Sequence, residues 1–153
     1  MALKINSQAP NFTLPSTSGS GFTLYKNMAD KPCVLYFYPK DFTLGCTAEA
    51  CEFRNEFEEF ANVDVPILGI SKDDIATHLQ FKEKYRLPFD LLADTSGIVT
   101  KMYDAVIPII GLSKRITYLL DASHKIIAVY DNALYPHGHI SAMIQAIRKN
   151  LIK

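Results

Sequence analysis

The feature that most constrains this chain is one unit, residues 34 to 57, in which an apolar run, a short polar loop and a helical pattern follow one another without a spacer. Val34-Leu35-Tyr36-Phe37-Tyr38-Pro39 is rich in aromatic and β-branched types and suits a central buried strand. Pro39 has no N–H to give a ladder, so the strand must end there. Beyond the loop, Ala50, Phe53, Phe57 and Phe60 recur at helical spacing and predict one apolar stripe, which one turn further back reaches Cys46. The expected unit is therefore a strand, a loop and a helix that opens on Cys46. A thiol in the first turn of such a helix is placed for chemistry, because the free N–H groups and partial positive charge there favour thiolate over thiol.

The rest of the chain repeats this alternation. Phe12 and Leu14, then Phe22 and Leu24, alternate with polar residues around Ser16-Thr17-Ser18-Gly19-Ser20-Gly21, which predicts an N-terminal β-hairpin. Val65 to Ser71 reads as a second buried strand. Ser71, Asp73 and Asp74 are N-cap candidates for a helix of about fourteen residues ending before Pro88, with Ile75, Leu79 and Phe81 or Lys82 on its inner side. Leu91-Leu92 is a short strand, and Asp94-Thr95-Ser96-Gly97 a turn. Ile98, Val99, Met102, Tyr103 and Val106 pattern as a short helix, broken by Pro108 and Gly111. Arg115 to Leu120 and Lys125 to Tyr130 form two strands joined by Asp121-Ala122-Ser123-His124. Ile140, Met143, Ile144, Ile147 and Leu151 mark a closing amphipathic helix. Units of βαβ type imply parallel neighbours and hairpins antiparallel ones, so the expected architecture is α/β, a mixed central sheet flanked by helices.

With 153 residues, one domain over residues 1–153 is expected. Formal net charge is zero, which leaves no basic surface for nucleic acid. No apolar run approaches the ~20 residues that span a bilayer, and the first ten residues lack the apolar core of a signal peptide. Three cysteines are too few, and odd in number, for a disulfide framework. A reducing cytoplasm is the expected compartment, where a cysteine pair is more often catalytic or redox-sensing than structural. Cys33 shares strand parity with Leu35 and Phe37 and reads as core packing. His78, His124, His137 and His139 read as surface or capping residues. No four ligands have the spacing of tetrahedral zinc, so no metal is expected.

Pro39-Lys40-Asp41-Phe42-Thr43-Leu44-Gly45-Cys46-Thr47 resembles the Pro-x-x-x-Thr-x-x-Cys signature of the peroxiredoxins. Cys51, five residues on, resembles their Q-type subgroup, also called bacterioferritin comigratory proteins. Ala9-Pro10-Asn11-Phe12, Phe81-Lys82-Glu83-Lys84-Tyr85 and Arg115-Ile116-Thr117-Tyr118-Leu119-Leu120-Asp121 extend the likeness over nearly the whole chain. Leu44 departs from it, standing where the subgroup usually has proline, which loosens the loop without removing a reactive group. The resemblance implies a thioredoxin-like fold with an N-terminal β-hairpin extension. It also implies reduction of hydrogen peroxide and organic hydroperoxides without metal or organic cofactor. Cys46 would be the peroxidatic thiol, and Cys51 the resolving thiol that closes an intramolecular disulfide. A thioredoxin or glutaredoxin-like reductant would reopen it. A monomer is implied, or in some cases a dimer.

The residue types suit that chemistry. A free cysteine, with a pKa of ~8.5, is only a few per cent ionised at pH 7, and a helix terminus contributes roughly 0.3–1 kcal/mol, under one pKa unit. A cation is needed as well. By the resemblance it is Arg115, whose guanidinium can donate to sulfur and to a peroxide oxygen together. Thr43 can donate to the thiolate or accept from the peroxide O–H, and can also cap the helix. Pro39 has no N–H to compete and would shield the sulfur from water. Glu49, by the resemblance only, would orient Arg115. Phe42, Leu44 and residues 107 to 112 are candidates for the pocket mouth. A thiol redox sensor or a holdase that binds a partner protein is the alternative function. A dithiol exchange protein usually carries Cys-x-x-Cys, and this chain has none. Positions five apart on a helix lie ~8.6 Å apart at Cα, beyond the ~7 Å a disulfide tolerates. A Cys46–Cys51 bond therefore requires the first turns of the helix to unwind.

Overall fold

The computed structural model describes residues 2–107, 109, 111, 113–131 and 143–149. Their elements run in the order β1 (Thr13–Pro15), β2 (Gly21–Thr23), α1 (Leu24–Asn27), β3 (Cys33–Phe37), α2 (Leu44–Asn55) and α3 (Phe57–Asn62), then β4 (Ile67–Ser71), α4 (Ile75–Tyr85), β5 (Asp90–Ala93), α5 (Ile98–Met102), β6 (Ile116–Leu120) and β7 (Ile126–Asp131). Residues 143–149 form a last helix, α6. No helix among the described residues is long and apolar enough to cross a membrane.

The apolar run after Cys33 becomes the centre of a five-stranded sheet of order β5-β4-β3-β6-β7. All five residues of β3 are buried, as suits a strand covered on both faces. It pairs in parallel with β4, and β4 with β5; β6 lies antiparallel to β3, and β7 to β6. The strand's period of two sends Cys33, Leu35 and Phe37 to one face and Val34 and Tyr36 to the other. On the first face lie Phe12, just before β1, Phe22 of β2, Leu24 of α1 and Tyr103, just after α5. On the second, α2, α3, α4 and α6 supply Ala50, Phe53, Phe60, Phe81, Met143 and Ile147. Phe53 stacks on Tyr36 at 4.6 Å between ring centroids. Each such fully buried large apolar side chain contributes about 1.5–3 kcal/mol.

The mixed sheet and the hairpin agree with the sequence expectation, and several details correct it. Leu24 does not continue the second hairpin strand but opens the one-turn α1. The expected single helix through Phe60 breaks at Glu56, whose N–H is shared between the Arg54 and Glu52 carbonyls. Phe60 therefore reaches the core from α3, while Phe57 stays half-buried. Of the three capping candidates Asp74 is the one used, accepting the Thr77 N–H at 2.8 Å. The inner side of α4 is His78 and Phe81; Leu79 is exposed. On α5, Val99 and the following Tyr103 turn inward and Ile98 outward. Neither described histidine is a surface residue: His78 and His124 are both buried. His124 stacks on Tyr25 and meets the Met28 carbonyl through Nε2 at 2.6 Å. His137, His139, Ile140 and Leu151 lie outside the described residues.

Candidate active site

The topology decides which groups meet. Because β6 runs antiparallel to β3, with Ile116 opposite Phe37, the residue before β6 lies where the chain leaves β3 for the loop to α2. That residue is Arg115. The loop closes with Thr43 as the N-cap by backbone geometry (φ −82°, ψ 154°), and α2 begins at Leu44, two residues earlier than expected. Cys46 is thus the third helical residue. The first intrahelical bond runs from the Thr47 N–H to the Thr43 carbonyl, so the N–H groups of residues 44 to 46 have no partner within the helix.

Cys46 is buried, with 2% of its surface exposed. Arg115 Nη2 donates to Cys46 Sγ at 3.4 Å, and Nη1 donates to Glu49 Oε1 at 2.8 Å. Glu49, one turn beyond Cys46, is fully buried. The guanidinium is thereby aimed at sulfur by one hand and fixed by the other. Gly45 permits the approach, since a Cβ there would fall 2.9 Å from Arg115 Nη2. Burial pushes the Glu49 carboxyl up to about 7, against the opposing pull of Arg115. Glu49 Oε2 and Arg115 Nε have no hydrogen-bond partner among the described residues. The unit is costly to bury and is anchored through one bond of each kind.

Thr43 is placed differently from the expectation. The Thr43 hydroxyl makes no cap bond; it donates to the Lys40 carbonyl at 2.8 Å. Its hydrogen is thus committed within the loop, and what it offers outward is an acceptor oxygen. Pro39 is exposed, as is Thr43. It lines a cavity of about 280 Å³ with Ile107, Ser113, Lys114, Arg115 and Asp131. Of the residues considered for the mouth, Ile107 also lines a neighbouring cavity with Pro39, Lys40, Lys72, Gly111 and Ser113. Leu44 is almost fully exposed. Phe42 turns away against Phe81, edge to face at 5.1 Å. It takes a left-handed backbone (φ 65°), which costs a non-glycine residue about 1–2 kcal/mol. Cys51, half-buried, lies further along α2, and all three cysteines are free thiols.

One group was missed by sequence reasoning. Asp41, Tyr38 and His78 form a buried polar cluster on the α4 side of the loop. Its signal was a polar residue on an apolar stripe: His78 stands three before Phe81 on the inner side of α4. Asp41, Asp73 and His78 are also the one group of potential metal ligands found among the described residues. Asp41 Oδ2 and His78 Nδ1 are 2.6 Å apart, a hydrogen-bond distance that leaves no room for an ion between them.

Known proteins resemble this chain in sequence and in structure. The AhpC/TSA family model matches residues 5–129. A peroxiredoxin Q of Oryza sativa subsp. japonica, a chloroplastic protein, is 41% identical over 143 residues, which are 93% of this chain and 65% of the relative. The chain thus spans about 65% of the length of this curated relative. A protein of Coxiella burnetii named putative peroxiredoxin bcp is 37% identical over 150 residues, 94% of this chain and 98% of the relative. The bacterioferritin comigratory protein of Xanthomonas campestris, described by its alkyl peroxide reduction activity, superposes with a TM-score of 0.83 at 28% identity. The match covers 93% of this chain and 92% of that one.

Proposed function

The chain belongs to the AhpC/TSA family, with relatives among the peroxiredoxin Q and bcp proteins, and on that premise we propose that it is a thiol-dependent peroxidase acting through Cys46. The observation that carries the reading is the double contact of Arg115, 3.4 Å to Cys46 Sγ and 2.8 Å to Glu49 Oε1, at the amino end of α2. The thiolate attacks one peroxide oxygen, the O–O bond breaks, and the electron pair leaves on the other oxygen, which takes a proton to become water or an alcohol. Cys46 becomes a sulfenic acid. Arg115 stabilises first the thiolate and then the charge on the departing oxygen. The Thr43 oxygen accepts the O–H of the incoming hydroperoxide, and Glu49 keeps Arg115 in line. Pro39 and Ile107 form the wall along which the substrate reaches Arg115.

Cys51 resolves the sulfenic acid in this reading. Its sulfur forms a bond to Cys46 Sγ as water leaves, and a thioredoxin or glutaredoxin-like dithiol returns both to thiols. Both cysteines lie on the helical α2 (Leu44–Asn55). With a Cα separation of ~8.6 Å on an ideal helix, bond formation needs the first turns of α2 to unwind. The unwound segment also presents the disulfide to its reductant. Residues 1–153 act as one domain, as a monomer or a dimer, and a reducing cytoplasm suits three free thiols.

The test is turnover of hydrogen peroxide and of an organic hydroperoxide with a thioredoxin system, followed by peptide mapping of the oxidised protein. Many turnovers and a Cys46–Cys51 bond support the reading. A single oxidation that then stops would indicate a redox sensor instead, and a Cys33–Cys46 bond would identify a different resolving thiol.

A further inference from the structure

The Asp41–Tyr38–His78 cluster is buried, polar and unused by the chemistry just described. His78 Nε2 lies 2.9 Å from the Leu92 carbonyl, which can only accept, so Nε2 carries a hydrogen. Tyr38 donates its hydroxyl hydrogen to Asp41 Oδ1 at 2.6 Å. A third contact, 2.6 Å between His78 Nδ1 and Asp41 Oδ2, must contain one proton, since two bare acceptors do not approach so closely. The Asp41–His78 pair is therefore neutral as a whole, which suits full burial of both side chains. The Asp41 backbone N–H donates to Asp73 Oδ2 at 2.8 Å, and Asp73 Oδ2 also accepts from Ser71 Oγ. Tyr38 follows β3, Ser71 ends β4 and Leu92 lies in β5. One loop residue is thus tied to the carboxyl ends of all three parallel strands and to α4.

What Asp41 holds is the loop that sets the nucleophile. Phe42 next to it is left-handed. Thr43 bonds back to the Lys40 carbonyl on its other side, and α2 starts at Leu44. We propose that the buried Asp41–His78 pair, with Tyr38, is a positioning clamp for the reaction at Cys46: it fixes loop 40–43, and through it the Thr43 oxygen and the amino end of α2, relative to Arg115. Asp41 and His78 touch no substrate and act through the loop. The proposal rests on the peroxidase reading.

The experiment compares Asp41→Ala, Asp41→Asn and Tyr38→Phe with the unaltered protein, well below every unfolding midpoint. Two second-order rates of Cys46 are measured, one with hydrogen peroxide and one with iodoacetamide. Alkylation needs only an accessible thiolate, whereas peroxide must meet sulfur, Thr43 and Arg115 in line. A displaced loop should slow the peroxide reaction of Asp41→Ala by roughly 10²-fold, with alkylation changed by no more than a few-fold. Asparagine can still accept from Tyr38 and donate to a neutral His78 Nδ1, so Asp41→Asn should restore most of the peroxide rate. Tyr38→Phe, which removes the hydroxyl bond to Asp41 Oδ1 but leaves the Asp41–His78 contact, should lie between. Peroxide rates of Asp41→Ala and Tyr38→Phe equal to the unaltered protein's would overturn the clamp, and so would an Asp41→Asn as slow as Asp41→Ala, which would indicate a charge effect. If Asp41→Ala does not fold, Tyr38→Phe decides. Unaltered protein that consumes no peroxide would instead overturn the peroxidase reading.

Discussion

Two cysteines lie on opposite faces of one sheet, and the contrast between their surroundings shows two different ways of burying a thiol. Cys33 faces the hairpin and α5, among Phe12, Leu35, Phe37 and Tyr103. There burial alone pushes the thiol up to about 12, and the residue is in effect a small hydrophobe. Cys46 faces the helical side and is as nearly buried, yet it receives a hydrogen bond from a guanidinium. The same residue type at nearly the same exposure thus has a guanidinium beside it on one face and aromatic and aliphatic side chains on the other. The difference comes from a cation brought across by β6 and from a helix that begins two residues before the sulfur, both features of the second face only. The face that holds Cys46 also bears the cost, since Glu49 is buried where it holds Arg115, and its carboxyl is pushed up by that burial.

Exchanging the two thiols gives the largest expected effect. Cys46→Ser should abolish peroxide consumption with the fold intact, because a serine hydroxyl is not appreciably ionised at neutral pH, whereas Cys33→Ala should leave turnover in place. Steady-state assays of both variants check this; substantial activity in Cys46→Ser would move the chemistry to another sulfur and end the comparison. Next comes the cation. Arg115→Ala should lower the rate with peroxide by roughly 10²–10³-fold, and it should slow alkylation at neutral pH as well, since the thiolate loses its partner. Arg115→Lys should recover only part, because one ammonium cannot span sulfur and Glu49 as the fork does. Equal alkylation of all three proteins would show that the guanidinium is not what separates the two faces.

Glu49 sharpens the contrast through pH. Its carboxyl is raised from 4.5 to about 7, so the folded protein binds that proton more tightly than the unfolded chain. The contribution to stability is fully present below the unfolded value and is lost as pH rises through about 7, with a slope of about 1 kcal/mol per pH unit at most. Urea unfolding of the protein and of Glu49→Gln at pH 5 and at pH 7.5 tests the sign: the variant should lose this part of the pH dependence. An identical dependence in both would place the titration elsewhere. The smallest effect is expected at Gly45. Gly45→Ala sets a Cβ 2.9 Å from Arg115 Nη2, so the guanidinium must shift, and kcat/KM for peroxide should fall by roughly 10-fold, following the sensitivity of such alignments to displacement. An unchanged value would mean that Arg115 can act from a second position.

Much of the face that holds Cys46 was legible in the chain. A strand that stops before Pro39, the inward-facing Ala50 and Phe53 of one helix, and Cys46 in the first turn of that helix are local patterns, set by residues a few positions apart, and the structure reproduces them. Local pattern also explains the errors. It put Leu79 inside α4 and His78 outside, because an isolated helix face is judged by hydropathy, whereas His78 is admitted to the interior by two polar partners from elsewhere, the Asp41 carboxyl and the Leu92 carbonyl. It carried one helix through Glu56, where the chain instead restarts so that Phe60 meets the core.

By itself, then, the sequence determined the alternation of strands and helices, the mixed sheet, the core-facing parity of Cys33 and the helical setting of Cys46. Only resemblance pointed to Arg115 before the fold was seen, because 69 residues separate it from Cys46 and no period links them. Tertiary structure decided that partnership, the Glu49 anchor and the Asp41–His78 clamp. The physical reason is the same in each case. A local pattern reports which side of an element faces the core, but the partner of a buried charge is chosen by whichever strand end is laid beside it, and here that choice was made by β6 running antiparallel to β3 and by α4 packing beside the loop from β3 to α2.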